Sequence, residues 1–280
     1  MKEAGRERPR WLAEAIAVWG YVQRNYFLTK RYFMWEVVWL VYITANALAI
    51  TYIGAGAEEF GSGIDTGRLM TFLMVGALVW SYLSVLFDVL SETVSWERWE
   101  GTIEYTFMSP ASRVTHLLGM GLYAVLYGTA QIAVMLGVVS LFFNPDLSRA
   151  NYAGALLVLG VGSVSLVGFG IMAAVLPLLS PEKGQQVSYI VSSLLLLVSG
   201  VYYDVDVLPA WMQFIARFSP VTYALEGIRA ALLDGAGVAQ LWSSILVLLL
   251  MGAVFVPLGL LVFHLGERYA KRTGKLKRSG

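Results

Sequence analysis

Cysteine is absent from the 280 residues, so disulfides and thiolate metal sites are excluded outright. Histidine occurs twice, at His116 and His264, too few and too far apart for a metal cluster. Charge is scarce: 14% of residues are Asp, Glu, Lys or Arg, where a soluble domain carries about a quarter. The net charge of +1 conceals no basic patch, because the cations segregate by loop, and nucleic acid is not an expected partner. A Walker A run is also missing. Gly274-Lys275 is followed by Leu276 where that motif needs Ser or Thr. The chain cannot hold ATP by that route, so nucleotide-driven work would fall to another polypeptide. The N-terminal MKEAGRERPRW lacks an early apolar core and does not read as a cleaved signal peptide.

What is present is apolar surface. Hydrophobic residues make up 58% of the chain, with a mean hydropathy of +0.66. Apolar runs of about 20 residues are long enough to cross a bilayer as helices. The expectation is a single all-α integral membrane domain over 1–280 with six transmembrane helices, at 33–53, 69–90, 114–143, 152–179, 187–203 and 241–265. Before the first span, 11–31 is amphipathic. Leu12, Ala15, Ile16, Trp19, Val22 and Tyr26 share one helical face, opposite Arg10, Glu14, Arg24 and Asn25. That pattern fits a helix lying in the membrane interface; the alternative is an early, interrupted part of the first span.

Two segments break the apolar rhythm. Residues 91–116 form a polar interruption of about 25 residues, with a short helix expected to end near Ser109-Pro110, because proline disfavours helical geometry just before it. The second, 204–240, is too charged and proline-broken to span. It reads as two short helices either side of Ser219-Pro220, dipping partway into the outer leaflet, or as an amphipathic loop lying on the surface. Sixteen of the twenty lysines and arginines fall in the terminal segments, the 91–116 loop and at Lys183. The opposite loops hold only Arg68, Arg149, Arg217 and Arg229. The positive-inside bias therefore places both termini and 91–116 in the cytoplasm, in a multi-pass protein of the cell (inner) membrane.

No catalytic constellation is legible. Gly162-Ser163 lies in a spanning run without an adjacent base, and small residues there more often permit close helix packing. Glu58-Glu59 lack a histidine at metal-ligand spacing. Glu36 and Asp88 sit near span ends and read as solvated or paired rather than as midplane proton sites. Deeper polar groups are neutral: Asn46, Ser81, Thr129 and Gln131 either line a route for cargo or hydrogen-bond between helices.

The run Glu97-Arg98-Trp99-Glu100-Gly101-Thr102-Ile103-Glu104, followed by Ser109-Pro110-Ala111-Ser112-Arg113 and Leu117-Leu118-Gly119, resembles the cytoplasmic loop of ABC-2 type transporter permeases. Ser199-Gly200, Leu208-Pro209, Trp211, Ser219-Pro220, Tyr223-Ala224, Glu226 and Ile228-Arg229 resemble that family's second signature. The chain departs from the commonest pattern at Trp99 and at Tyr202-Tyr203-Asp204. The resemblance implies an export permease working with two copies of a separate ABC ATP-binding subunit, which carries the ATP and Mg, and with a second permease copy or a sister permease. It makes 91–116 the site of a coupling helix between spans 2 and 3. Glu97, Arg98, Trp99, Glu100, Gly101, Thr102, Glu104 and Pro110 would contact the ATP-binding subunit. It also makes 204–240 a re-entrant outer gate, using Leu208, Pro209, Trp211, Phe214, Pro220, Glu226 and Arg229. The cargo expected is hydrophobic or amphipathic, drug or lipid-like first and glycan second. The competing readings are an ion-coupled secondary transporter, a non-transporting membrane assembly factor and an intramembrane hydrolase.

Overall fold

The computed structural model describes residues 9–57, 65–109, 111–145, 147–180 and 183–274. Eleven helices follow in chain order among the described residues: α1 (Arg10–Arg31), α2 (Phe33–Ala55), α3 (Thr66–Glu100), α4 (Ile103–Met108), α5 (Arg113–Val139), α6 (Tyr152–Ala173), α7 (Val175–Leu179), α8 (Gly184–Val198), α9 (Ala210–Ala216), α10 (Pro220–Leu233) and α11 (Val238–Arg272). A 3-10 turn, Val205–Val207, precedes α9. Side-chain oxygens of Asp65, Ser112 and Asn151 accept backbone N–H groups at the starts of α3, α5 and α6. Such caps satisfy donors that a helix leaves open and stabilise each start by about 1 kcal/mol.

Helix α3 is the axis of the bundle, packed by α2, α5, α6, α8 and α10. Its segment Leu73 to Val79 is buried without interruption, as expected for a helix that is apolar all round. The main core gathers on it with residues such as Leu83, Leu86, Met135, Val158, Leu225 and Leu248. A smaller core around Leu90, Ile103, Leu117, Leu178 and Phe263 sits under the α3–α4 end. Helices α6 and α11 form the most extensive helix pair, and Ser165 Oγ donates to the Leu248 carbonyl across it at 2.5 Å.

Five stretches among the described residues are long and apolar enough to cross a membrane: Phe33–Ala55, Thr66–Glu100, Arg113–Val139, Tyr152–Leu179 and Val238–Arg272. The stretch 187–203, expected as a span, holds most of the 15-residue α8, which ends before Ser199 and gives way to a turn. At a rise of 1.5 Å per residue α8 covers about 22 Å, short of a bilayer core of about 30 Å. Other boundaries moved for local reasons. Helix α3 runs ten residues past the expected end at Leu90, because nothing breaks it until Gly101 adopts φ 75°. That left-handed conformation is one a side chain resists, and it closes the helix with the Thr102 N–H on the Glu97 carbonyl at 2.8 Å. The fourth apolar run parts into α6 and α7 at Ala174, four residues before Leu178 and three before Pro177. Proline lacks the N–H that would bond to Ala173 and crowds its carbonyl.

Helix α1 lies against α5 with its polar side inward. Glu14 accepts from the Thr115 hydroxyl, Arg24 reaches Glu97, and Thr29 meets the Tyr123 hydroxyl. Trp11, Ile16, Trp19 and Tyr26 face outward. Val22, grouped with them by the sequence pattern, is buried.

Candidate functional site

The turn between α3 and α4 brings the expected partner-facing residues together and then divides them. Glu97 is 1% exposed; its Oε1 accepts from Arg24 Nη1 at 2.5 Å and lies 3.4 Å from His116 Nε2. Arg98 is also buried, and its Nη1 donates to the Leu178 carbonyl at 2.5 Å. These two side chains fasten α3 to α1, α5 and α7, so they are buried ties and not the exposed partner-facing groups that the resemblance implied. Helical phase explains it: residues 97 and 98 continue the inward row of Leu90, Ser91 and Val94. Trp99, Glu104, Tyr105 and Met108 are exposed instead, and Trp99 packs edge-on against Trp96. Glu100, Gly101 and Thr102 are half-buried at the turn. Pro110 lies outside the described residues.

Arg113 secures the far side of the same elbow. Its guanidinium stacks 4.4 Å over the Phe107 ring, donates to the Thr106 carbonyl at 2.8 Å and to the Phe107 carbonyl, and reaches Glu267 Oε1 at 3.2 Å. Lys271 donates to the same carboxylate at 2.6 Å. Helix α4 is thereby tied to α5 and to the end of α11. Sequence reasoning passed over Glu267, although the Glu267–Lys271 spacing of four was a visible signal.

A cavity of about 900 Å³ opens between α1, α2, α3, α5 and α8. Asn46, Ser81 and Gln131 line it, while Thr129 does not and bonds to the Val125 carbonyl. Asn46 and Ser81 turn back on the carbonyls of Tyr42 and Ala77. Gln131 is buried, with its Oε1 unpartnered. Glu36 and Asp88, expected to be solvated or paired near separate span ends, face this common space, joined by Glu92. The Tyr127 hydroxyl donates to Glu36 at 2.5 Å and the Tyr189 hydroxyl to Glu92 at 3.0 Å. Glu92 could have been found in the sequence, since it follows Asp88 by four and must share its helix face. The two tyrosines could not, because nothing local marks them.

At the opposite end of α3 the second motif converges on Arg229. Its guanidinium lies 3.5 Å over the Phe72 ring and donates to the carbonyls of Gly200 at 2.8 Å and Val201 at 2.5 Å. A Cβ at Gly76 would stand 2.1 Å from the Val201 carbonyl and 2.6 Å from Arg229, so α3 must present glycine there. Ser199 and Ser219 hydroxyls bond at 2.7 Å, closing the start of α10 on the end of α8. Pro220 is buried at the first turn of α10, where a missing N–H costs nothing. Pro209, Trp211, Phe214 and Glu226 are exposed and Leu208 is half-buried. Arg229 is therefore an internal tie, whereas Trp211 and Phe214 form the open apolar face.

Residues 17–233 match the ABC-2 type transporter family. Among curated relatives, nodulation protein J of Sinorhizobium fredii is 26% identical over 88% of this chain and 92% of its own length. The linearmycin resistance permease protein LnrN of Bacillus subtilis is 25% identical over 63% of this chain, and the daunorubicin resistance ABC transporter permease protein DrrB1 of Streptomyces coeruleorubidus is 32% identical over 56%. The chain spans about half the length of these last two, 46% and 54%. The family match covers most of the chain and takes in both the α3–α4 elbow and the Arg229 tie, and this multi-pass membrane protein accordingly belongs to the ABC-2 type transporter family.

Proposed function

We propose that the chain is the permease subunit of an ATP-driven exporter, powered by two copies of a separate ATP-binding subunit and paired with a second permease copy or a sister permease. In this reading α8 and the Ser199–Tyr203 segment together make the fifth of six spans. Helix α1 lies in the inner interface, with Trp11, Trp19 and Tyr26 toward lipid and both termini cytoplasmic. The observation that carries the reading is the α3–α4 elbow. It offers Trp99, Glu104 and Tyr105 outward, while Glu97, Arg98 and Arg113 bolt its inner side to α1, α5, α7 and α11. A push on the exposed face has no soft joint in which to dissipate. The binding energy for that push must come from contacts that differ between the two nucleotide states. Cargo would pass toward the outer segment around α9.

The relatives' names include resistance to linearmycin and to daunorubicin, which supports ranking a drug-like or lipid-like cargo before a glycan. The test is the double variant Glu100→Lys with Glu104→Lys, which reverses charge at the elbow without touching the buried bolts. The complex should assemble and hydrolyse ATP while efflux falls by roughly tenfold, the scale of a reversed interfacial charge pair. Unchanged efflux from a normally assembled complex would reject the assignment. The carboxylates Glu36, Asp88 and Glu92 sharing one cavity favour a second reading, an ion-coupled carrier. Efflux that persists without ATP hydrolysis would select it.

A further inference from the structure

The cavity is polarised in a way that its position alone does not require. Its lining holds five carboxylates and one cation, Arg24, and Arg24 is already engaged by Glu97. Among the described residues, Glu36, Asp88 and Glu92 take part in no ion pair. The unpartnered atoms point the same way. Glu97 Oε2 and Gln131 Oε1 belong to side chains 1% and 8% exposed, and Asp88 Oδ1 joins them without a hydrogen bond. All three are acceptors, so what this wall lacks is a donor or a positive charge. The same lining holds the indole rings of Trp35, Trp39 and Trp80, on the helices that carry the carboxylates; aromatic faces attract cations and tolerate varied apolar shapes. The volume of about 900 Å³ suits one drug-sized molecule.

We propose that this cavity takes an organic cation, an amphipathic molecule with a protonated amine or other onium centre held among Glu36, Asp88 and Glu92 and its apolar body against the tryptophans. This rests on the exporter reading for its consequence, since the cation would then be the cargo or its mimic. A neutral glycan would leave the three carboxylates without a counter-charge. A negatively charged lipid headgroup would be repelled by them.

The probe is a pair of ions alike in size and shape and opposite in sign, tetraphenylphosphonium and tetraphenylborate, measured by equilibrium dialysis against the full chain in nanodiscs of neutral lipid. The phosphonium should bind at least about tenfold more tightly than the borate, the scale set by uncompensated charges several ångströms away at intermediate dielectric. In the double variant Asp88→Asn with Glu92→Gln, which preserves shape, that preference should shrink to about threefold or less. Equal binding of the two ions by the unmodified chain overturns the proposal whatever the variant does, and so does a preference that survives the double substitution. Assembly with an ATP-binding subunit is scored separately in the same preparations. Normal assembly without charge discrimination overturns the cation assignment and leaves the exporter reading intact. Discrimination without assembly supports the cation site and removes the exporter reading.

Discussion

Glu97 and Trp99 sit two positions apart on one helix and do opposite work. Glu97 is surrounded: Arg24 and His116 meet one of its oxygens, and Tyr21 leans on His116 at a tilt, with ring centroids 4.7 Å apart. Removing the carboxylate would leave a cation and an imidazole in a site built around its charge. Breaking one partner of a buried pair costs about 3–5 kcal/mol, and Arg24, 30% exposed, places the expectation at the lower end. Glu97→Ala should therefore lose roughly 3 kcal/mol of stability, measured by thermal unfolding in detergent. Trp99, 69% exposed, gives up little when truncated. Trp99→Ala should change stability by less than about 0.5 kcal/mol yet, under the proposed exporter function, weaken association with the ATP-binding subunit proposed there. Equal losses of stability in the two variants would contradict the division between bolt and contact.

At the scale of elements, close approach of backbones decides which residues a helix can carry. Gly76 sits mid-helix in α3, where a side chain would normally be tolerated, but the Val201 carbonyl and the Arg229 guanidinium lie against its Cα. Gly76→Leu must push α3 away from the turn after α8 and disturb the Arg229 contacts to the Gly200 and Val201 carbonyls. Overpacking of this kind costs about 1–3 kcal/mol. Faster proteolysis of the segment between α8 and α10 is the expected signature; cleavage unchanged from the parent would show that the turn is not held there. Hydropathy placed the long apolar runs because their length is imposed by the bilayer. Ser219-Pro220 showed as a break because its backbone chemistry is local; Gly101 and Pro177, equally local, were passed over because each lies inside a run with a stronger motif or hydropathy signal. Legibility failed where a residue's role depends on distant partners. Glu97 and Arg98 read as surface charges because no periodicity reveals that Arg24 and the Leu178 carbonyl await them. The inward-turned polar face of α1 was hidden for the same reason, since amphipathicity gives two faces and not which one meets protein. Glu36 joins Asp88 and Glu92 only when α2 packs on α3.

For the molecule as a whole, α3 is the part that connects everything named above. Its 35 residues make a rod of about 50 Å. Glu97 and Arg98 are anchored at one end, Asp88 and Glu92 face the cavity along the way, and Gly76 meets the Arg229 tie toward the other. A rod pinned at both ends by buried polar ties transmits displacement with little loss, because packed interfaces switch between discrete arrangements and do not stretch continuously. Such transmission requires the elbow and α9 to lie on opposite sides of the membrane. The chain itself supplies the means to ask, since with no native cysteine every introduced thiol is unique. In intact cells, a membrane-impermeant maleimide should label Trp211→Cys on α9 and spare Glu104→Cys on α4, whereas opened cells should expose both. Labelling of Glu104→Cys from outside would invert the molecule, place the elbow beyond the reach of any cytoplasmic ATP-binding subunit, and leave α3 a structural pillar with nothing to transmit.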